Sequence, residues 1–438
     1  MPAQPTRLAI IAILAVLVVV TAWNALDYPP GRGFDAQQHI SYADGLIEHG
    51  RIPTPKTQTE YYTPPGYYAV AGSASWIGRR LGLGEPHRLA LALNVVLVVG
   101  TALLLLALAR LLFPDRRLVA VGALGFFVFL PVVVKSAAMF YPETLNMALC
   151  TAAIVVAARM LLRRDYRLRM AVLLGAAVGG AQLVRVSSGW VGIAIAIAFL
   201  AAGVVRAAPW HALLRAGGVA ILAAAVVTAP WYQYQLRTHT SPVSRLRPQE
   251  TPGSSTHRTS RTPYFSAGLP RVFSAPFRPH YEGAGFPVTY SDTWGDYWGC
   301  CAWNPLSGPP TAGQKRSLEG QSVLGVLPTL LALAGLAGLL VLALRRRSAA
   351  LALVPLVPLV AFAIYVAVTA KYPNPEGDTL KATYLLLSAP CWALAFGFAV
   401  DRLSRRRSLA IALALVLVVS ALIDLRFVVY GSHLGGLL

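Results

Sequence analysis

Eleven times in 438 residues the chain enters an apolar run long enough, or nearly long enough, to cross a bilayer, and this repetition limits the possible folds more than any motif does. A hydrocarbon core of about 30 Å requires about 20 residues of helix, with every backbone polar group paired inside the segment. The runs lie at 8–26, 89–113, 118–136, 144–162, 170–184, 187–205, 213–232, 323–344, 349–369, 382–400 and 408–426. The expected class is an all-α polytopic membrane protein, a bundle of about 11 transmembrane helices with amphipathic helices and loops at its outer face. Only 13% of the residues are charged, against about 25% in a soluble domain, so the length does not imply several soluble domains.

The net charge of +20 would suggest nucleic acid in a soluble protein. Here the arginines cluster between apolar runs, at Arg116-Arg117, Arg163-Arg164 with Arg167 and Arg169, Arg345 to Arg347 and Arg405 to Arg407. That is the pattern of cytoplasmic loops held against anionic lipid, and it argues against a nucleic-acid partner. With the N-terminus in the cytoplasm every cluster falls inside, whereas one slipped span would place alternate clusters outside. The weakest point is the pair of short runs around Arg185, broken by Gln182 and Ser187-Ser188. A single re-entrant element there would invert everything downstream. The first run has no convincing small-residue cleavage site after it and reads as a retained span. Cys150 and Cys391 lie in apolar runs and Cys300-Cys301 are adjacent, which provides neither a zinc spacing nor a disulfide framework. The Ala, Leu, Val and Arg bias fits the inner membrane of a bacterium with a GC-rich genome.

Three parts follow: an N-terminal transmembrane module at 1–232 with a first outer loop at 27–88, a large extracytoplasmic region at 233–322, and C-terminal transmembrane helices at 323–438. The long hydrophilic segments all fall outside under this topology, so the outer face is where work would be done. The run from Thr251 to Thr262 reads as a flexible loop, and Asp292 to Trp303 as an aromatic patch. No inverted repeat of the transporter kind is evident. Gly175 and Gly179 form a GxxxG, the spacing of close helix packing.

The most informative polar stretch runs from Gly33 to Tyr68. Written as a helix, Asp35, Gln38, His39 and Tyr42 share one face while Ala36, Ile40, Ala43 and Ile47 form an apolar one, as expected of a helix lying on a membrane. Gly50 would stop it in a left-handed cap. A second helix would start at Thr63-Pro64-Pro65 and carry Tyr67, Tyr68 and Trp76 at interfacial depth.

Phe34-Asp35 with His39 and Tyr42, then Glu48 to Pro53 (EHGRIP), then Glu60 to Tyr68 (EYYTPPGYY), resembles the GT-C superfamily of integral-membrane glycosyltransferases. The likeness is strongest to the protein O-mannosyltransferase-like group, which includes the transferase that adds aminoarabinose to lipid A. It implies transfer of a sugar from a polyprenyl-phosphate donor to a glycan, lipid or protein acceptor at the extracytoplasmic face, with inversion expected and Asp35 as catalytic base. Relatives often carry two successive acids where this chain has Asp35-Ala36, so a second carboxylate would fall to Glu60 or Glu143. The segment from Asp378 to Tyr384 is similar to a basic-residue-plus-Tyr motif of relatives, with Lys381 one turn before Tyr384 instead of adjacent to it.

Such chemistry needs a base, cations for the departing phosphate and a slot for the lipid tail. Asp35 is the candidate base, although Asp followed three residues later by Gln38 is also a capping pattern. His39, Tyr42, Arg51, Glu60, Tyr67 and Glu143 are candidate substrate contacts, set against ordinary roles: a solvated His, a loop anchor, an acid at a helix N-terminus. Asp292 and Asp296, spaced i and i+4 among Trp294, Tyr297 and Trp298, could hold a sugar or simply belong to an aromatic belt. Lys135, Arg185, Lys371, Lys381 and Tyr384 are candidates for the phosphate; Lys135 and Arg185 could equally snorkel, and Lys371 and Lys381 could be loop charges. The residues identify no cofactor; a divalent metal could sit between outer carboxylates and phosphate, but no ligand spacing demands one. The rival function is a transporter or flippase of lipid-linked saccharides, and a third is an inactive scaffold of the same fold.

Overall fold

The computed structural model describes residues 3–54, 57, 59–239, 269–274, 276, 284–295, 312–371 and 380–430. These are helical throughout, without a strand among them. In chain order the helices are α1 (Ala3–Asp27), α2 (Ala36–His49), α3 (Gly66–Arg80), α4 (Arg88–Leu112), α5 (Arg117–Val128), α6 (Pro131–Ala137), α7 (Glu143–Arg163), α8 (Leu168–Gln182), α9 (Gly189–Val204) and α10 (Trp210–His239). There follow α11 (Gly285–Trp294), α12 (Ala312–Leu324), α13 (Val326–Arg346), α14 (Ala349–Lys371), α15 (Ala389–Leu403) and α16 (Arg407–Val428). Short 3-10 turns at Thr59–Tyr62, Val186–Ser188 and Ala382–Ser388 lie between helices and carry part of the site.

All eleven apolar runs are helical, but they are not eleven equal spans. Among the described residues nine helices are long and apolar enough to cross a membrane. The run at 118–136 breaks between α5 and α6, which meet at a bend of 58°. Pro131 opens α6, where it cannot donate a backbone hydrogen bond and disfavours helical geometry in the residue before it. Helix α8 has only 15 residues, short of a full crossing, and is separated from α9 by the Val186–Ser188 turn. The run at 382–400 begins as a 3-10 turn before α15 takes over.

Small residues set the helix crossings. A Cβ on Gly175 would meet the Ala220 carbonyl oxygen, and one on Gly179 would stand 3.0 Å from Ala224 Cα, so the GxxxG of α8 is the face that receives α10. Gly397 of α15 lies against Val119 of α5 in the same way, and Gly335 of α13 against Ala395 of α15. Without a hydrophobic force between helices in lipid, such close approach is what dispersion and packing require.

Helix α3 packs between α2 on one side and α4 on the other. Their aromatic residues correct the expectation of an interfacial belt: Tyr67 and Tyr68 are 1% and 0% exposed, and with Tyr42 and Phe140 they form a closed core. Trp76 does remain exposed, with Arg80 over its ring at 5.0 Å. The polar face of α2 also turns inward, with His39 and Tyr42 buried beside Ala36 and Ala43. Helix α2 is therefore lodged in the protein instead of resting on a membrane by its apolar side. Gly50 ends it as expected, with φ 62° and its N–H donating to the Leu46 carbonyl at 3.0 Å.

Candidate active site

Asp35 sits at the N-cap position of α2 but does not cap it. Its backbone is left-handed, φ 53° and ψ 21°, and its side chain makes no hydrogen bond to the first turn. The capping-box reading is thus overturned. Among the described residues three other non-glycines share positive φ, Arg164, Arg206 and Arg347, and Arg164 and Arg347 close helix C-termini, where that geometry is ordinary. At a helix N-terminus it costs about 1 kcal/mol and is held in place by its surroundings. Gly33, at φ 118°, makes the preceding turn possible beneath the Met139 side chain.

The reorientation delivers the carboxylate to Lys381. Lys381 Nζ donates to Asp35 Oδ2 at 2.9 Å across 346 residues of sequence, with side-chain exposures of 9% and 39% respectively. Burial alone would raise the Asp35 carboxyl, but the Lys381 ammonium prevails and holds it below the usual carboxylate value. Lys381 is kept at this place by the turn that follows it. Asp292 Oδ2 accepts the Ala382 N–H at 2.7 Å, and the Tyr384 N–H donates to the Lys381 carbonyl at 3.2 Å. Asp292, a candidate sugar contact in the sequence, is buried and anchors the backbone just after Lys381.

A second pair lies alongside. Arg185, at the break between α8 and α9, places Nε 2.7 Å from Glu143 Oε1 and Nη1 4.0 Å from Glu60 Oε2. It is buried and does not snorkel. Its guanidinium lies over the rings of Tyr141 at 5.3 Å and Tyr384 at 6.0 Å, a desolvated cation–π arrangement. Glu143 also accepts from Asn146 Nδ2 at 3.3 Å, and Glu60 from the Thr63 hydroxyl at 2.7 Å and the Tyr62 hydroxyl at 3.2 Å. Burial would raise Glu60, yet His39, Arg185 and the Thr63 hydroxyl together hold it below the usual range.

His39, one turn along α2 from Asp35, is fully buried, not solvated. Its Nδ1 is 2.8 Å from the Tyr68 hydroxyl and its ring is 5.4 Å from that of Tyr141. Burial pushes it down to about 4, so it is neutral at physiological pH. The structure therefore brings together Asp35, His39, Glu60, Glu143, Arg185, Lys381 and Tyr384.

Other candidates take structural places. Tyr42 stacks on Tyr68 at 3.8 Å and donates to the Thr63 carbonyl, and Tyr67 packs edge-on against Phe140 at 5.6 Å. Arg51 is exposed, and its backbone N–H donates to the Gly45 carbonyl at 3.3 Å. Lys135 is buried at the junction of α6 with α11 and α16, its Nζ donating to the Gly295 carbonyl at 3.1 Å. Asp296, Cys300, Cys301, the Thr251–Thr262 loop and the side chain of Lys371 lie outside the described residues. Sequence reasoning missed Thr63, Tyr68 and Tyr141 as site residues. Thr63 and Tyr68 lay inside the Glu60 to Tyr68 motif, and Tyr141 in the run Phe140-Tyr141-Pro142-Glu143, an aromatic beside an acid at a helix start. Among the described residues no group of three or more His, Cys, Asp or Glu side chains is placed to hold a metal ion.

No protein-family model and no curated protein matches the sequence. Solved structures do match in fold. The archaeal oligosaccharyltransferase AglB from Archaeoglobus fulgidus, in complex with an inhibitory peptide and a dolichol-phosphate, superposes with a TM-score of 0.57 at 12% identity, over 96% of this chain and 56% of that one. The apo form of the Archaeoglobus fulgidus oligosaccharyltransferase gives 0.58 at 14% identity, over 96% and 56%. ArnT from Cupriavidus metallidurans bound to undecaprenyl phosphate gives 0.51 at 16% identity, over 95% and 64%. The chain thus spans between half and two thirds of the length of these structures, and at such identities the likeness speaks for architecture alone. That architecture agrees with the resemblance read from Asp35 to Tyr68: this chain has the fold of the GT-C membrane glycosyltransferases.

Proposed function

We propose that the protein transfers a sugar from a polyprenyl-phosphate donor to an acceptor hydroxyl at the extracytoplasmic face of the membrane. The observation that supports this most is Asp35: a left-handed carboxylate at a helix start, turned away from capping and paired with Lys381 from the far end of the chain. In this reading Asp35 accepts the proton of the acceptor hydroxyl, which attacks the anomeric carbon opposite the phosphate. Lys381, with Arg185 behind it, stabilises the departing polyprenyl phosphate.

A carboxylate held low by an ammonium is a poor base. Donor binding would correct this, because a phosphate that recruits Lys381 withdraws the charge depressing Asp35 and raises its basicity. The reading therefore implies donor before acceptor. No step is assigned to a metal, since the carboxylates nearest Asp35 are engaged by Arg185, Thr63 and Asn146.

The deciding experiment compares wild type with Asp35→Asn in vesicles supplied with polyprenyl-phosphate sugars. Transfer should fall roughly 10²–10⁴-fold while melting stays near wild type; normal turnover by the variant would remove Asp35 as the base. Orientation has its own check. In a background with Cys300 and Cys301 replaced by Ser, a cysteine at the exposed Gly84 should react with an impermeant thiol reagent on intact cells, since Cys150 and Cys391 are buried. Labelling only after permeabilisation would turn the protein over.

A further inference from the structure

Asp35 keeps a left-handed backbone without capping α2, so the strain is borne by whatever supports the turn before it. Met139 supports that turn on one side, beneath Gly33. Another support comes from the opposite end of the described chain, where α16 runs out into Val428–Tyr430.

Helix α16 packs slightly along its length. Only 6% of its membrane-crossing window is buried, against 22–78% for the other eight long apolar helices, and Ile411, Leu415, Val418 and Leu422 are each more than half exposed. Its C-terminal end is fastened instead by hydrogen bonds to α1. Asn24, fully buried, donates Nδ2 to the Val428 carbonyl at 2.8 Å and accepts the Tyr430 N–H on Oδ1 at 2.8 Å. Trp23 Nε1 donates to the Tyr430 carbonyl at 2.8 Å. Pairing main-chain groups that a helix end leaves open is ordinary capping. The Tyr430 side chain goes further. Its ring stands edge-on to Tyr28 at 4.9 Å, and its hydroxyl accepts from Arg32 Nη1 at 3.0 Å. Tyr28 and Arg32 bound the turn that leads into Gly33 and Asp35, and capping α16 requires neither contact.

The same cluster reaches the partner of Asp35. Tyr430 packs against a core that contains Tyr28, Phe34, Tyr141 and Leu380. Phe34 precedes Asp35 and Leu380 precedes Lys381, and the Lys381 ammonium lies 5.4 Å from the centre of the Phe34 ring. Both members of the ion pair are thus seated on one apolar base, and Tyr430 closes a side of it.

We propose that Tyr430, tied down by Asn24, is a positioning residue: it braces the turn from Tyr28 to Arg32 and so holds Asp35 against Lys381 for transfer. The effect on rate rests on the transfer reading above; the bracing does not. Displacing a catalytic group by about 1 Å can cost about 10²-fold in rate. The loss is selective, because Lys381 and Arg185 still hold the donor.

Two measurements on the full-length protein test it. The first needs no substrate: hydrogen–deuterium exchange, read by mass spectrometry over residues 28–36. Tyr430→Ala should speed exchange there by about 10-fold or more and leave α10 as in wild type. Asn24→Leu, which frees the whole segment, should do the same, and Tyr430→Phe, which keeps the ring and loses only the Arg32 contact, should fall between. Unchanged exchange at 28–36 in Tyr430→Ala overturns the proposal, and so does an equal rise throughout the protein. The second measures transfer in vesicles supplied with undecaprenyl-phosphate mannose, glucose or arabinose. In Tyr430→Ala kcat should fall about 10–100-fold with the donor KM unchanged, and Tyr430→Phe should recover most of the loss. Faster exchange with wild-type kcat shows that the segment serves the fold alone and overturns the positioning role. A wild type that transfers none of these sugars overturns the transfer reading and the rate effect built on it, while the exchange experiment still decides whether Tyr430 braces the turn.

Discussion

The two ends of α2 carry the same chemistry in opposite settings. At the C-terminal end Asp44 pairs with Arg79 at 3.1 Å and with His87 at 3.1 Å, and Arg79 also reaches Glu48 at 2.9 Å. These partners come from α3 and the start of α4, and Asp44 and Arg79 are about a quarter exposed. At the N-terminal end Asp35, itself 39% exposed but flanked by the buried Phe34, Ala36 and His39, has one ion-pair partner among the described residues, the buried Lys381 from the opposite end of the chain, and a left-handed backbone. The first arrangement is a redundant local bracket. The second gives up local stability to place one carboxylate against the C-terminal module.

The sharpest way to break the comparison is to neutralise both acids. Asp35→Asn should remove nearly all transfer, roughly 10²–10⁴-fold, with little change in melting, whereas Asp44→Asn should leave transfer near wild type. Similar activity losses in the two would erase the distinction. Arg185→Leu comes next and acts on stability: it leaves Glu143 buried and unpaired, so unfolding free energy should drop by about 3–5 kcal/mol. Chemical denaturation in detergent measures it, and Arg185→Leu with Glu143→Leu should recover much of the loss.

Lys381→Met should raise the donor KM about 10–100-fold and leave the acceptor KM alone, because only the donor carries phosphate. Equal rises would indicate misfolding. Acid adds a further test on the Asp35 side. His39 falls from 6.5 to about 4 on folding, so the unfolded chain binds the extra proton in that window. Stability should be full above pH 6.5 and decline as pH falls toward 4, by at most about 1.4 kcal/mol per pH unit, and His39→Gln should flatten the decline. The Asp35–Lys381 pair behaves differently, since a depressed carboxylate gives up its contribution only below its ordinary value of 3.8. The smallest effect belongs to the bracket. Asp44→Asn should cost at most about 1 kcal/mol, as partly exposed pairs do, and high salt should mask it.

Much of this molecule is legible in one dimension. Hydropathy places the helices, because the cost of an unpaired backbone in lipid is local to each segment. The glycine at 50 stops α2 and the Gly175–Gly179 face receives α10, because a missing Cβ acts where it stands. Asp35 could be singled out from the pattern around it, since residue types and spacing carry that resemblance.

What the sequence could not determine is which way polar groups face and with whom they pair. The same i, i+3, i+4 periodicity describes a helix lying on lipid and a helix with its polar face sealed inside, and only the packing of α3, α4 and the Tyr141 segment decided for the second. The sequence left Asp292 open between a sugar contact and an aromatic belt, and Lys135 between a phosphate contact and snorkelling; the fold sets the Ala382 N–H against the first and the Gly295 carbonyl against the second. Asp35 and Lys381, 346 residues apart in sequence, meet because the fold brings the start of α2 against the start of the Ala382–Ser388 turn. Periodicity is a property of neighbours along the chain; an ion pair between its two ends is a property of the packed bundle.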